Sequence, residues 1–241
     1  SMSCSELSSR CSSEKQGTGT RGDDVGAIDI LLLVVLAIVT WAVASEGAWG
    51  ALLSTLIVLF SGLLSMNFFE PFAGMLQGLG GSLWWQHQCD IIALVGLFGL
   101  FVFLLRIATD RLSPRFIQTN RLLHELGRWG GGLMAGYITM AFLLTSLHTG
   151  PFPREFWGFS PERRNLFNVV APDRQWLGFT QWVSEHSLKW GGAGKIFDGP
   201  RPEPRLGGSQ GAENRVWPSF VIRYATRRRL YAMGGGATSG A

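Results

Sequence analysis

The residue types best able to do chemistry in this chain gather at His87, Cys89 and Asp90, in the segment His-Gln-Cys-Asp. Imidazole, thiolate and carboxylate all bind metals, but a zinc-type centre needs three or four such groups in fixed geometry, with hydrogen-bonded groups behind them. These three lie within four residues of one another beside Trp84 and Trp85, with no second cluster near in sequence. They read as a polar cap at a membrane interface, and neither a metal nor any other cofactor is expected. Cys4 and Cys11 form no C-x-x-C pair with Cys89 or with each other, so no redox or zinc motif is indicated. The chain has no G-x-S-x-G elbow, P-loop or dinucleotide fingerprint, and no catalytic residue is expected.

The ionisable residues that remain of interest flank apolar runs. Asp29 enters the first run and Arg106 closes the third, while Arg121 and Arg128 precede and enter the fourth. Charges deep in lipid are costly and usually functional, whereas charges at helix ends can reach water. Asp29 is also favoured at a helix N-terminus by the backbone dipole. We take Asp29, Arg121 and Arg128 as the candidate functional polar residues. Arg227, Arg228 and Arg229 form a lone basic triplet without a stacking platform, which argues against nucleic acid as a partner.

The elements that must position these residues are hydrophobic. The chain has 241 residues, 46% hydrophobic and 16% charged, against roughly 25% charged in soluble domains. Its net charge of +4 comes mainly from Arg in blocks beside apolar runs, a pattern of membrane orientation. Run one covers 27–44, at the length threshold for a spanning helix. A rival reading makes it a signal peptide, because Ala42-Val43-Ala44 resembles a cleavage site. The long preceding region with Asp23 and Asp24 opposes that reading. Run two covers 50–69 and is closed by Glu70-Pro71. The link 45–49 predicts a tight antiparallel hairpin of runs one and two. A Gly- and Trp-rich connection, 71–89, leads to run three, 90–105, which Ile107 and Ala108 extend; Trp84 and Trp85 suit an interfacial aromatic belt. Run four is 129–147.

Gly127, Gly131, Gly132 and Gly136 make two Gly-xxx-Gly pairs around the start of run four. In water each glycine would weaken a helix by about 1 kcal/mol relative to Ala. In lipid, small residues four apart let helix backbones approach closely, so these four are the predicted helix-packing set. Whether the facing helix is in the same chain or a second copy is open.

Outside the runs, 1–26 is Ser/Gly-rich and predicted disordered. After Leu147 the expectation is an extramembrane region, 148–190, holding a helix capped by Asp173. Trp176, Phe179, Val183, His186 and Trp190 would form its apolar face, turned either to a small water-soluble subdomain or to the bilayer surface. A Gly/Pro linker, 191–214, and a basic helix with a disordered end, 215–241, complete the chain.

Arg106, Arg111, Arg115, Arg121 and Arg128 crowd the connection between runs three and four. The opposite side carries the same number of flanking basic residues, but spread more thinly: Lys15, Arg21, Arg154, Arg163 and Arg164. The dense short loop is therefore predicted inside, with both termini outside.

The order of these elements resembles the CvpA (colicin V production protein) family of bacterial inner-membrane proteins. The resemblance rests on Asp29 with the Ile-rich start of run one, on Glu46-Gly47, and on Asn120-Arg121-Leu122 through the four glycines. It covers residues 27–147; the long tail is similar to extended members from planctomycete-like bacteria. Family members usually place a basic residue with glycine in the first link, where this chain has Glu46. The resemblance implies a non-enzymatic protein linked with colicin or toxin export, envelope homeostasis and biofilm phenotypes. Its partners would be the lipid bilayer and either a second copy or an envelope protein. The alternative is a small channel or solute-exporter subunit. A channel is expected to lose flux at Gly132→Leu or Gly136→Leu while staying assembled, and a structural factor to lose assembly. The fold class expected throughout is all-α, with four transmembrane helices and a partly helical C-terminal extension.

Overall fold

The computed structural model describes residues 26–80, 83–112, 120–152, 159, 166–167, 169–186, 197, 220–221 and 224. Among the described residues, five helices can be delimited: α1 (Ala27–Ala44), α2 (Gly47–Leu79), α3 (Leu83–Leu112), α4 (Arg121–Leu147) and α5 (Pro172–His186). Helices α1 to α4 are each long and apolar enough to cross a bilayer. The architecture is that of an all-α, multi-pass membrane protein.

Helix α1 starts where Asp29, in its first turn, reaches back to accept the Gly26 N–H at 2.9 Å. It ends at a two-residue turn, Ser45-Glu46, with Ser45 Oγ donating to the Ala42 carbonyl. Gly47 then takes φ +85°, a left-handed conformation that a Cβ would strain, and α2 starts there at once.

The predicted α1–α2 hairpin is only half right. The turn is shorter than expected, but α1 and α2 barely touch, because α4 lies between them. The main interfaces are α2 with α3, α2 with α4 and α1 with α4, so the spans form a row in the order α1, α4, α2, α3. A glycine-rich helix is the thinnest of the four, which suits it to the middle of the row.

Pro71 does not end the second span. Helix α2 runs through it to Leu79, and α3 begins at Leu83, so the expected connection of 71–89 shrinks to 80–82. Proline lacks an N–H and ordinarily breaks a helix interior, but packed neighbours make it tolerable in membrane helices. The 33 residues of α2 span about 50 Å, against a hydrocarbon core of about 30 Å. Ala48 of α2 faces Gly127 of α4 and Ala51 faces Gly131, so the two helices run parallel and α2 continues well past the level of Leu147. There Trp85 of α3 closes the corner, its indole N–H donating to the Leu76 carbonyl at 2.9 Å.

The C-terminal region packs on the wall of the bundle below that corner. Trp176, Leu177 and Val183 of α5 share one core with Val58, Leu63 and Met66 of α2, Leu97 and Phe98 of α3, and Phe142 of α4. Phe98 stacks on Phe142 at 4.2 Å, and Trp176 meets Phe142 edge-on at 6.1 Å. Phe197, Phe220, Val221 and Tyr224 belong to the same core, with Phe220 edge-on to Phe69 at 6.2 Å. Helix α5 is thus neither in a separate subdomain nor lying with its apolar face on lipid. Its buried side is Trp176, Leu177, Thr180, Val183 and Ser184, while His186 is exposed and stacks on Trp182. The expected disorder of 1–26, most of the linker 191–214, Trp190 and the Arg227–Arg229 triplet fall outside the described residues, save Gly26 and Phe197.

Candidate functional site

A fully buried pair of ionisable side chains sits where α4 ends and α5 begins. Helix α4 closes with His148, whose backbone N–H is bonded to the Thr145 carbonyl at 3.1 Å. Pro172 occupies the first position of α5, where its missing N–H costs nothing. Asp173 therefore lies inside the first turn and is not the N-cap expected from sequence. Its carboxylate turns instead to His148: Nε2 and Asp173 Oδ2 are 2.9 Å apart, and both side chains are wholly buried. Thr145 Oγ1 lies 3.4 Å from the Asp173 carbonyl, and Phe159 meets the His148 ring edge-on at 5.0 Å. One turn pair away, the Tyr137 hydroxyl bonds the Gln175 side-chain oxygen, a second tie between α4 and α5.

A carboxylate beside an imidazole fixes the ring's orientation and can hold a proton between them. His148 Nδ1 and Asp173 Oδ1 are also buried, and neither has a hydrogen-bond partner among the described residues. Taking such a pair out of water is expensive, so the contact favours one register of α5 on α4 without adding much net stability. No group of three or more His, Cys, Asp or Glu side chains converges as metal ligands among the described residues.

Asp29 lies at the same end of the bundle, and it too is buried rather than reaching water as sequence suggested. Beside its Oδ2 contact to Gly26, its Oδ1 accepts the Phe167 N–H at 2.9 Å. That bond ties the start of α1 to the C-terminal region across 138 residues. Phe167 has φ +49°, rare for a residue with a side chain, in a short turn where the Leu166 N–H reaches the Val170 carbonyl at 3.1 Å.

The other end of the bundle carries a second polar knot. Arg106 of α3 donates to Glu46 at 2.7 Å and to Ser54 Oγ at 2.8 Å, and Ser54 donates to Glu46 at 2.9 Å. Asp110, one turn on, lies 3.5 Å from Arg106 Nε. Glu46, in the turn between α1 and α2, is thereby matched by a cation from α3. Arg121 is exposed at the start of α4. Arg128 is half-buried, 5.2 Å over the Trp129 ring and 3.9 Å from Glu125. Neither comes near Asp29.

The glycines line two separate seams. A Cβ on Gly127 would lie 3.1 Å from Ala48 Cβ, and one on Gly131 would lie 3.0 Å from Ala51 Cβ, both on α2. A Cβ on Gly132 would meet the Thr40 carbonyl oxygen at 2.8 Å, and one on Gly136 the Leu36 carbonyl oxygen at 2.9 Å, both on α1. The two Gly-xxx-Gly pairs thus face different helices of the same chain. Thr55 Oγ1 lies 2.9 Å from the Gly131 carbonyl, a polar contact that only such an approach permits.

Of the residues at the first polar group, His148 escaped sequence reasoning, and so did the true role of Asp173. The one available signal was Pro172, whose preference for the first helical position places the next residue inside the helix. Cys89 is buried, its thiol 3.2 Å from the Trp85 carbonyl. No family model, curated protein or solved structure matches this chain.

Proposed function

We propose that the chain is a non-enzymatic inner-membrane protein of the CvpA kind, supporting toxin export or envelope homeostasis in a bacterium. The observation that carries this reading is the place of α4. The helix that bears the resemblance is also the one on which α1, α2 and α5 all pack. A sequence feature that recurs for architectural reasons would sit at such a position. The partners in this reading are the bilayer and either a second copy or an envelope protein, with both termini outside.

The test is loss of the protein from a bacterium that carries it. Toxin secretion or envelope integrity is expected to fall, and to recover with the wild-type chain. The rival channel reading cannot be separated by Gly132→Leu or Gly136→Leu, because both face α1 backbone and would dismantle the bundle in either case. Gly99 and Gly130 have open space where a Cβ would go. A solute flux in vesicles that disappears at Gly99→Leu or Gly130→Leu, in protein that remains assembled, would make the chain a channel subunit instead.

A further inference from the structure

We infer that the first two turns of α4 bind the headgroup of an anionic phospholipid through Arg121, His124 and Arg128. This rests on the membrane-spanning helices. It goes beyond the export or envelope role proposed above and does not depend on it.

The three residues stand three and four apart in sequence, so they share one face of α4. That face meets the α1–α2 turn, where a Cβ on Gly47 would lie 3.4 Å from His124 Cε1. The acids near it are committed elsewhere or too far. Glu46 and Asp110 both pair with Arg106. Glu125 stays 3.9 Å from Arg128, beyond hydrogen-bond distance. Arg128 is held in place by the Trp129 ring, 5.2 Å from its guanidinium carbon, and its Nε is buried without an acceptor. Its outer N–H groups are therefore the ones open to an incoming acceptor. Arg121 is exposed and has no ion pair among the described residues. Two guanidiniums and an imidazole on one face, short of acids, suit a phosphate oxyanion, which Arg can bind through paired hydrogen bonds.

The apolar neighbours of these cations identify the bearer of the phosphate. On the same two turns, Leu122 and Leu126 are 74% and 72% exposed, and Leu123 is exposed as well. A free phosphate or a nucleic acid gains nothing from bare leucines, whereas a lipid presents a charged head and an apolar body together. Height agrees with this. Helix α1 has 18 residues, about 27 Å, so the α1–α2 turn falls at one edge of the hydrocarbon core. Exposed Trp41, Trp49 and Trp129 belong to the same end, the composition of a membrane interface. Cations at that level attract lipids of net negative charge, while the choline of a zwitterionic lipid offsets its own phosphate.

The experiment titrates the full chain, purified in a non-ionic detergent, with dioleoylphosphatidylglycerol or dioleoylphosphatidylcholine, and reads bound lipid by native mass spectrometry. The expected result is at least fivefold tighter binding of phosphatidylglycerol. Arg121→Gln combined with Arg128→Gln should bring that ratio below twofold. Arg174→Gln, which removes the same charge at the other end of the bundle, should leave it within twofold of the wild type. Arg121→Glu alone touches only an exposed side chain, so it tests the site even where the double variant does not fold. It should lower the ratio at least threefold with an unchanged melting temperature. A wild-type ratio below twofold would overturn the site. So would a preference retained in Arg121→Glu, which would put the lipid elsewhere on the chain, or an equal loss at Arg174→Gln, which would make it an effect of net charge. Displacement of phosphatidylglycerol by equimolar glycerol phosphate would overturn the lipid in favour of a small soluble phosphate.

Discussion

A carboxylate and an imidazole sealed together at the end of α4 behave differently from the same groups near water. Removing one partner from His148–Asp173 strands the other, whereas removing both removes the desolvation cost as well. His148→Phe or Asp173→Leu alone is expected to cost about 3 kcal/mol, and the double variant to recover most of that loss. Denaturation midpoints of the three variants in detergent check this; simple additivity would mean that the pair is not coupled. The partly exposed Glu46–Arg106 contact is a contrasting case, with Arg106 at 39% side-chain exposure. Glu46→Gln is expected to cost only roughly 0.2–1 kcal/mol, with the loss shrinking further in high salt. Sequence showed that Asp29 and Arg106 stand at helix ends, but their partners come from residues 167 and 46, far along the chain. Spacing rules act over one or two helical turns and carry no information about such pairs. His148 went unnoticed for the same reason, since its partner lies 25 residues away.

Among the elements, the glycine helix makes the sharpest distinctions. Gly132→Ala and Gly136→Ala each drive a Cβ against α1 backbone carbonyls, and each is expected to destabilise the bundle by about 1–3 kcal/mol. Gly99→Ala and Gly130→Ala meet open space and are expected to be neutral or stabilising by up to about 1 kcal/mol. Unfolding of the four variants in detergent gives the comparison directly, and equal effects at all four would argue against close helix approach as the cause. The four spans were legible because lipid-length apolar runs have few alternatives. The ends of α2 and α3 were not, because Pro71 and the glycines around it signal termination only when the flanking helix lacks packed neighbours. The apolar face of α5 was legible in its periodicity, but periodicity does not say what covers a face. Here Trp176 fills the space above Gly62, where a Cβ would lie 2.5 Å from the indole.

For the molecule as a whole, the start of α1, the end of α4 and the α2–α3 corner share one side, with α5 packed there. Reporters fused after His148 and after Arg115 are expected to read outside and inside, respectively. The reverse pattern would make the core-packed C-terminal region cytoplasmic. A chain ending after Thr149 loses Trp176, Leu177, Val183 and Phe220 from the shared core. It is expected to melt at a lower temperature than the full chain in detergent, even though all four spans remain.

The row order of the spans also bears on biogenesis. The first two spans leave the ribosome joined by a two-residue turn, yet they have almost no interface of their own. The groove between them is completed only when the last span is translated, some forty residues after α2 ends. Until then the backbone carbonyls of Leu36 and Thr40 and the small side chains of Ala48 and Ala51 face lipid or a chaperone. Nascent chains arrested before residue 121 should therefore be recognised by membrane quality-control proteases, and chains released just beyond residue 147 should escape them.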